Sequence, residues 1–455
     1  MKPQSFSTPR PFTPTREEPA ELDRRTVGRS EILATLAQRL ETAATGRSRP
    51  HTLLVGPRGS GKTHLLRVAL HRLEDNAEVR DRLAIADIGE DAVGLTRYAD
   101  LVWEIGASLG LALPRSADTV DLEATVLDAI GDKTLVLVLE NLDRIFGAIG
   151  RRGQQDLRSW VETSGRILLV AATPALFAGV ADRNEPWFAG LITTPVDGLT
   201  PEAGRELLTF LARERGDDAL AEYLQTAAGW GRAKAVGQLS GGSARIWMVF
   251  SECLSVETLD ALTPAVEALV ERLVPYYQQL LWDLPGNQQA IVRQLAEGPS
   301  AALTVADMAA ATALSQQTVS KVLSLLQEDR WVRAAKLADG DRRKTWYSLR
   351  EPMLRHHFQW RSTGGEPLRF IVALLRAWYE RQEIPELARD ADAIRGAGPT
   401  AMNSLPELLA APDAPAAPAI ANLLWRAARG DSEAVVQLPS ELHDVANGLA
   451  DRLAT

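Results

Sequence analysis

Apolar runs of strand length alternate with helical spacing through the first 200 residues of the chain. The run ending at Val55 (HTLLV) leads into glycine-rich Gly56–Thr63 and then a helical pattern from His64. Thr134–Leu139 (TLVLVL) has no polar face, as befits a parallel strand covered on both sides, and it ends in Glu140-Asn141-Leu142-Asp143. Arg166–Ala172 (RILLVAA) ends at Thr173-Pro174, and Ile192–Val196 leads into GLTPEAGRELL, where Thr200 or Pro201 opens a helix. Strands alternating with helices predict an α/β fold, a doubly wound parallel sheet over residues 23–199, followed by a helical lid over 200–283.

The pattern changes after Pro285. Gln288–Ala296 has helical periodicity and stops at Gly298-Pro299; Thr304–Ala311 forms a second short helix; Ser315 caps a third, Gln316–Leu326. On that third helix Val319, Val322, Leu323 and Leu326 share a core face, leaving Gln316, Gln317, Ser320, Lys321 and Ser324 outward. A hairpin pattern follows: Trp331–Ala335, a turn at Asp339-Gly340-Asp341, then Arg342-Arg343-Lys344 and the run to Leu349. The order predicts a winged helix-turn-helix over residues 284–361. Residues 362–455 read as helical, broken by AAPDAPAAPA, with apolar stretches (LRFIVALLRAWY, IANLLWRAA) suited to an unknown protein partner and no motif that carries chemistry. Residues 1–22, rich in Pro, Ser and Thr, read as a disordered arm without the apolar segment of a secretory signal.

Composition narrows the function classes. With 455 residues and 45% hydrophobic content the chain can bury the cores of two to four domains, and no apolar run is long enough to span a membrane. One cysteine, Cys253, excludes an internal disulfide and a cysteine-based zinc site, and the whole is expected in the cytoplasm. Net charge is −9, unfavourable for a general polyanion binder, yet Gly286–Arg361 holds 11 Lys plus Arg against 7 Asp plus Glu, leaving −13 on the remainder. A basic segment inside an acidic chain is where a contact with double-stranded DNA is expected. Gln316, Gln317, Ser320 and Lys321 suit base edges and phosphates in a major groove, and Arg342, Arg343 and Lys344 suit phosphates at a wing tip. The alternative is a winged helix that packs only against protein.

The segment Gly56-Pro57-Arg58-Gly59-Ser60-Gly61-Lys62-Thr63 is G-x-x-x-x-G-K-T between a strand and a helix, the context that a phosphate-binding loop needs. Glycines let the loop curl its N–H groups around a phosphate, and the helix N-terminus at Lys62, Thr63 and His64 adds positive potential. In such loops the lysine meets the β- and γ-phosphates of ATP and the hydroxyl ligates Mg2+. Glu140, at the carboxyl end of a buried strand, is the candidate carboxylate beside that magnesium.

These motifs resemble the AAA+/STAND branch of P-loop ATPases, especially the archaeal-type and origin-recognition-like group, over Thr26–Arg361. Thr26-Val-Gly28-Arg29-Ser-Glu31 is similar to the segment that packs near adenine in that group. The resemblance implies that Thr173 senses the γ-phosphate and that Arg245, in Leu239-Ser-Gly-Gly-Ser-Ala-Arg245, contacts phosphates from the lid. It also implies that Arg183 acts as an arginine finger on a neighbouring copy in a homo-oligomer, with Arg151, Arg152 and Arg158 as competitors. SQQTVSKVLSLLQEDRWV and DGDRRKTWYSL resemble MarR-type winged helices, and SLREPMLRHHFQWR the tail that follows the winged helix in archaeal-type ATPases. Relatives usually read Asp-Glu where this chain reads Glu140-Asn141. Asn141 cannot act as a base, Asp143 is the available substitute, and Ala244 stands where many relatives carry Pro. The resemblance therefore implies an ATP- and ADP-binding switch with slow turnover that controls DNA binding, in transcription, defence or mobile-element biology. A signalling ATPase whose output is oligomerisation and a DNA-remodelling or loading ATPase remain alternatives.

Overall fold

The apolar runs of the first half lie together in one parallel sheet. Its strands are β1 (Thr52–Val55), β2 (Leu83–Ile88), β3 (Thr134–Leu139), β4 (Ile167–Thr173) and β5 (Ile192–Pro195), in the order β2-β3-β4-β1-β5. Every pairing is parallel. β3 and β4 are central and buried at every residue, which is why their sequences show no alternation. β2, which no uninterrupted apolar run marks, is an edge strand: Asp87 breaks the run and Ile85 is exposed.

Helices cover both faces. On one side α1 (Pro19–Arg24), α2 (Ser30–Thr45), α3 (Lys62–Glu74) and α4 (Ala77–Arg80) pack on Leu54, Val136, Val138, Leu168 and Val170. On the other, α5 (Tyr98–Ser108), α6 (Thr119–Ala129), α7 (Leu142–Ser164) and α8 (Ala178–Ala181) cover Leu53, Leu137, Leu139 and Leu169. The computed structural model describes residues 17–89, 94–297, 302–335 and 345–363, and in the last segment 427, 430–438, 443 and 446. Of the arm expected over 1–22, residues 1–16 lie outside the described residues. Leu22 is buried in the core beside α3, and Arg25 forms a buried ion pair with Glu17 at 2.6 Å.

Contacts divide the chain at Gly198/Leu199 into two units. The second opens with six helices, α9 (Pro201–Glu214), α10 (Asp218–Tyr223), α11 (Ala227–Ser240), α12 (Ala244–Ser251), α13 (Val256–Ala261) and α14 (Thr263–Trp282). Thr200 caps α9 by accepting from the Ala203 N–H. Then come α15 (Gly286–Glu297), β6 (Ala302–Leu303), α16 (Val305–Thr312), α17 (Gln316–Glu328), β7 (Val332–Ala335), β8 (Trp346–Leu349) and α18 (Pro352–Thr363). The three strands form an antiparallel sheet ordered β6-β8-β7, with β6 too short to read from the sequence. Thr304 and Ser315 cap α16 and α17. Val319, Val322, Leu323 and Leu326 are buried, while Gln316, Gln317, Ser320 and Lys321 are exposed. Arg342, Arg343 and Lys344 lie outside the described residues, as does most of 362–455, where α19 (Ser432–Gln437) is described. Among the described residues no helix is long and apolar enough to cross a membrane.

Candidate nucleotide site

The carboxyl ends of three strands meet where β1 gives way to the glycine-rich loop. Val55 is in register with Thr173 on β4 and Pro195 on β5, and the Gly56 N–H donates to the Thr173 carbonyl at 3.2 Å. Gly56 has no room for a side chain, because a Cβ there would collide with the Val196 carbonyl oxygen. Gly61 is the reverse case: its φ of +96° is left-handed, and nothing stands within 4 Å of an added Cβ. The loop thus opens a concavity at the N-terminus of α3, where the first N–H groups have no helical acceptor, a setting that fits an anion. Ser60 Oγ is buried beside it with no hydrogen-bond partner among the described residues. Lys62 Nζ lies across the loop, donating to the carbonyls of Gly56 (2.7 Å) and Pro57 (3.1 Å). Pro57, Arg58 and Gly59 complete the loop, half-buried.

Thr63 and Glu140, 77 residues apart, are both buried, and the Thr63 hydroxyl donates to the Glu140 carboxylate. A hydroxyl and a carboxylate side by side at the foot of an anion site form an oxygen donor set that fits magnesium. Thr173 is wholly buried; its hydroxyl is within hydrogen-bonding distance of Asp143 Oδ1 (3.2 Å) and the Ala175 carbonyl (3.0 Å). Asp143, whose direction the sequence left open, turns its carboxylate towards the end of β4. Asn141 sits between β3 and α7 with φ 52° and ψ 51°, in the left-handed region that Asn tolerates better than most side chains. Asn141 therefore suits this backbone conformation, and its amide supplies no carboxylate.

A second set of bonds ties the segment before α2 to this loop. Arg29 donates to the carbonyls of Asp197 and of Ser60, the latter at 3.3 Å, and burial lowers its guanidinium pKa while Asp197 opposes that effect. Gly28, with φ +61°, turns the chain before it. Thr26 Oγ1 lies 2.7 Å from His64 Nε2 and 3.0 Å from the Leu22 carbonyl oxygen, and the ring's tautomer sets which partner of the first contact donates. Burial lowers His64 to about 4, and the ring is neutral at pH 7. The sequence carried no signal for the Asp197 acceptor, since a backbone carbonyl leaves no residue signature, or for the Thr26–His64 contact, whose partners lie 38 positions apart.

The profile of the AAA ATPase domain family matches residues 25–333. The chain belongs to that family. Among solved structures, this AAA ATPase is similar to the Aeropyrum pernix ORC2 protein, solved as ADPNP–ADP complexes. The two are 15% identical, with a TM-score of 0.52, over 80% of this chain and 95% of that one. The Aeropyrum pernix ORC1 protein in complex with DNA is 16% identical with a TM-score of 0.44, over 80% and 94% of the two chains. The Thermotoga maritima RuvB Holliday junction branch migration motor is 18% identical with a TM-score of 0.37, over 72% and 95%. At these identities the likeness to the ORC2 protein concerns the fold. No curated protein matches the chain.

Arginines of the AAA ATPase core divide by what they hold. Arg151 donates to the Asn184 carbonyl at 2.7 Å, and Arg158 to the Pro186 carbonyl and to Glu162 (2.6 Å), so both brace the loop that carries Arg183. Arg183 and Arg152 are exposed. In the second unit Arg245 lies in the first turn of α12, its guanidinium 4.8 Å from the centre of the Tyr276 ring.

Proposed function

We propose that this AAA ATPase is an ATP-binding switch with slow turnover, and that its nucleotide state controls binding to double-stranded DNA through a winged helix-turn-helix formed by α15–α17 and β6–β8. The observation that carries the nucleotide reading is the buried Thr63–Glu140 pair at the foot of the glycine-rich loop. Lys62, whose ammonium already lies over that loop, would exchange two carbonyls for the β- and γ-phosphate oxygens. Magnesium held by Thr63 and Glu140 would supply positive charge to those same oxygens. Asp143 would take the proton of the attacking water at its carboxylate, with Thr173 keeping Oδ1 oriented. Asn141 contributes no base, which supports binding and switching over rapid turnover. Arg245 is assigned to the phosphates, and the exposed Arg183 to a neighbouring copy in a homo-oligomer, on the resemblance in sequence.

The DNA reading is supported by the order helix, strand, two capped helices and two antiparallel strands, with Gln316, Gln317, Ser320 and Lys321 exposed on α17. The experiment is DNA affinity in ADP and in a non-hydrolysable ATP analogue across a salt series. Affinity should depend on the nucleotide. Replacing Arg342, Arg343 and Lys344 by Ala should flatten the slope of log K against log salt by roughly three units at about 0.9 per phosphate contact. Gln317→Ala should alter sequence preference and leave the slope nearly unchanged. Absence of DNA affinity at low salt in both nucleotide states would overturn the DNA reading and leave the nucleotide reading standing.

A further inference from the structure

Within the second unit, the first turn of α12, which carries Arg245, lies at the junction of β8 and α18 in a partly buried polar cluster. Arg245 lies over the Tyr276 ring, and the Tyr276 and Tyr277 rings are 5.1 Å apart. Tyr277 is wholly buried, and its hydroxyl donates to Glu351, the residue just before α18. His357, on α18, stacks against the Tyr277 ring at 5.2 Å. Beside them Gly241, four residues before Arg245, backs onto the same junction. A Cβ there would stand 3.0 Å from Pro352 Cδ and 3.7 Å from the Arg350 carbonyl oxygen. Burial pushes the Glu351 carboxyl pKa up, while the Tyr277 hydroxyl and the Arg245 charge act the other way. The Arg245 charge thus opposes the effect of burial on the acid that immediately precedes α18.

We propose that Tyr276, Tyr277 and Glu351 are positioning residues for Arg245, and that they pass its displacement to the β8–α18 junction. The proposal rests on the reading of Arg245 as the residue that responds to nucleotide. Drawing Arg245 off the Tyr276 ring removes a cation–π contact and a positive charge that acts on Glu351, so the Tyr277–Glu351 bond and the first turn of α18 must readjust. Two states of one side chain then bias two arrangements of the winged segment, which is the requirement for coupling between sites.

The test is hydrogen exchange over residues 346–361 of the full chain with ADP and with a non-hydrolysable ATP analogue, alongside the affinity for each. The wild type should show a nucleotide-dependent difference in exchange at β8 and α18. Tyr277→Phe keeps the ring and removes the hydroxyl. It should abolish that difference while affinity for the analogue moves less than about threefold. Tyr276→Leu should change the preference for analogue over ADP by about threefold to tenfold, the scale of one lost contact. A thermal unfolding curve for each variant establishes that it is folded. If Arg245→Ala alters the preference while Tyr276→Leu and Tyr277→Phe keep both the preference and the exchange difference of the wild type, the positioning role is overturned and the nucleotide reading survives. If Arg245→Ala leaves the preference unchanged, the reading of Arg245 fails, and the proposal with it.

Discussion

Asn141 sits in the left-handed region with no side-chain capping bond, so exchanging its side chain tests the backbone alone. An ordinary side chain in that conformation costs roughly 1–2 kcal/mol because its Cβ crowds the following carbonyl; Asn is more tolerant, and Gly has no Cβ to crowd. Asn141→Ala and Asn141→Glu should therefore each lose about 1 kcal/mol, and Asn141→Gly should stay within about 0.5 kcal/mol of the wild type. In a unit of this size 1 kcal/mol lowers Tm by roughly 2–4 °C. Thermal unfolding of the three variants side by side, without nucleotide, measures the difference, and turnover of Asn141→Glu measures the chemistry. The added carboxylate should raise turnover above the wild type while Tm falls. If Gly destabilises as much as Ala, or Glu is accommodated at no cost, the left-handed conformation does not explain Asn141, and only the chemical account of the substitution remains.

Lys62→Ala should weaken ATP binding by about 1.5–3 kcal/mol, or roughly tenfold to 150-fold, with the fold intact; unchanged affinity in calorimetry would remove Lys62 from the site. Basal turnover should lie well below about 10 per second, and Asp143→Asn should lower it further without altering ATP affinity; an indifferent rate would place the water-orienting group elsewhere. Burial lowers His356 to about 3, and His357 and His64 to about 4, from an ordinary 6.5. The unfolded chain thus takes up protons first, so their contribution is fully present above pH 6.5 and is lost as the pH falls towards 4 and 3. Tm measured from pH 7 to pH 4.5 should fall, and less steeply in His356→Leu; identical slopes would refute the assignment.

How much was legible depended on where each signal resides. β3 and β4 could be read because burial on both faces leaves their interiors without a polar position, whereas β2 carries Asp87, whose N–H donates to the Ser108 hydroxyl, and reads as an interrupted run. β6 is two residues long and is a strand only because β8 pairs with it, 44 positions away in the register Leu303 to Tyr347 and 46 from Ala302 to Ser348, a long-range fact that no local pattern records. The glycine-rich loop was legible because its chemistry is local: eight consecutive residues supply the turn, the ammonium and the hydroxyl. Arg29 was legible only as part of a resemblance, since its acceptors are the carbonyls of Ser60 and Asp197, the latter 168 residues away.

Thr173 shows what the geometry adds to a residue already marked by the sequence. Its carbonyl accepts from the Gly56 N–H, and its hydroxyl reaches Asp143 at the start of α7. One buried residue therefore joins the first residue of the glycine-rich loop to the candidate base, through two groups held on the rigid end of β4. A displacement of Gly56 strains the same residue that orients Asp143. In the function proposed, with no carboxylate at Asn141 to take over, proton transfer depends on that single orientation, an arrangement that favours binding over hydrolysis.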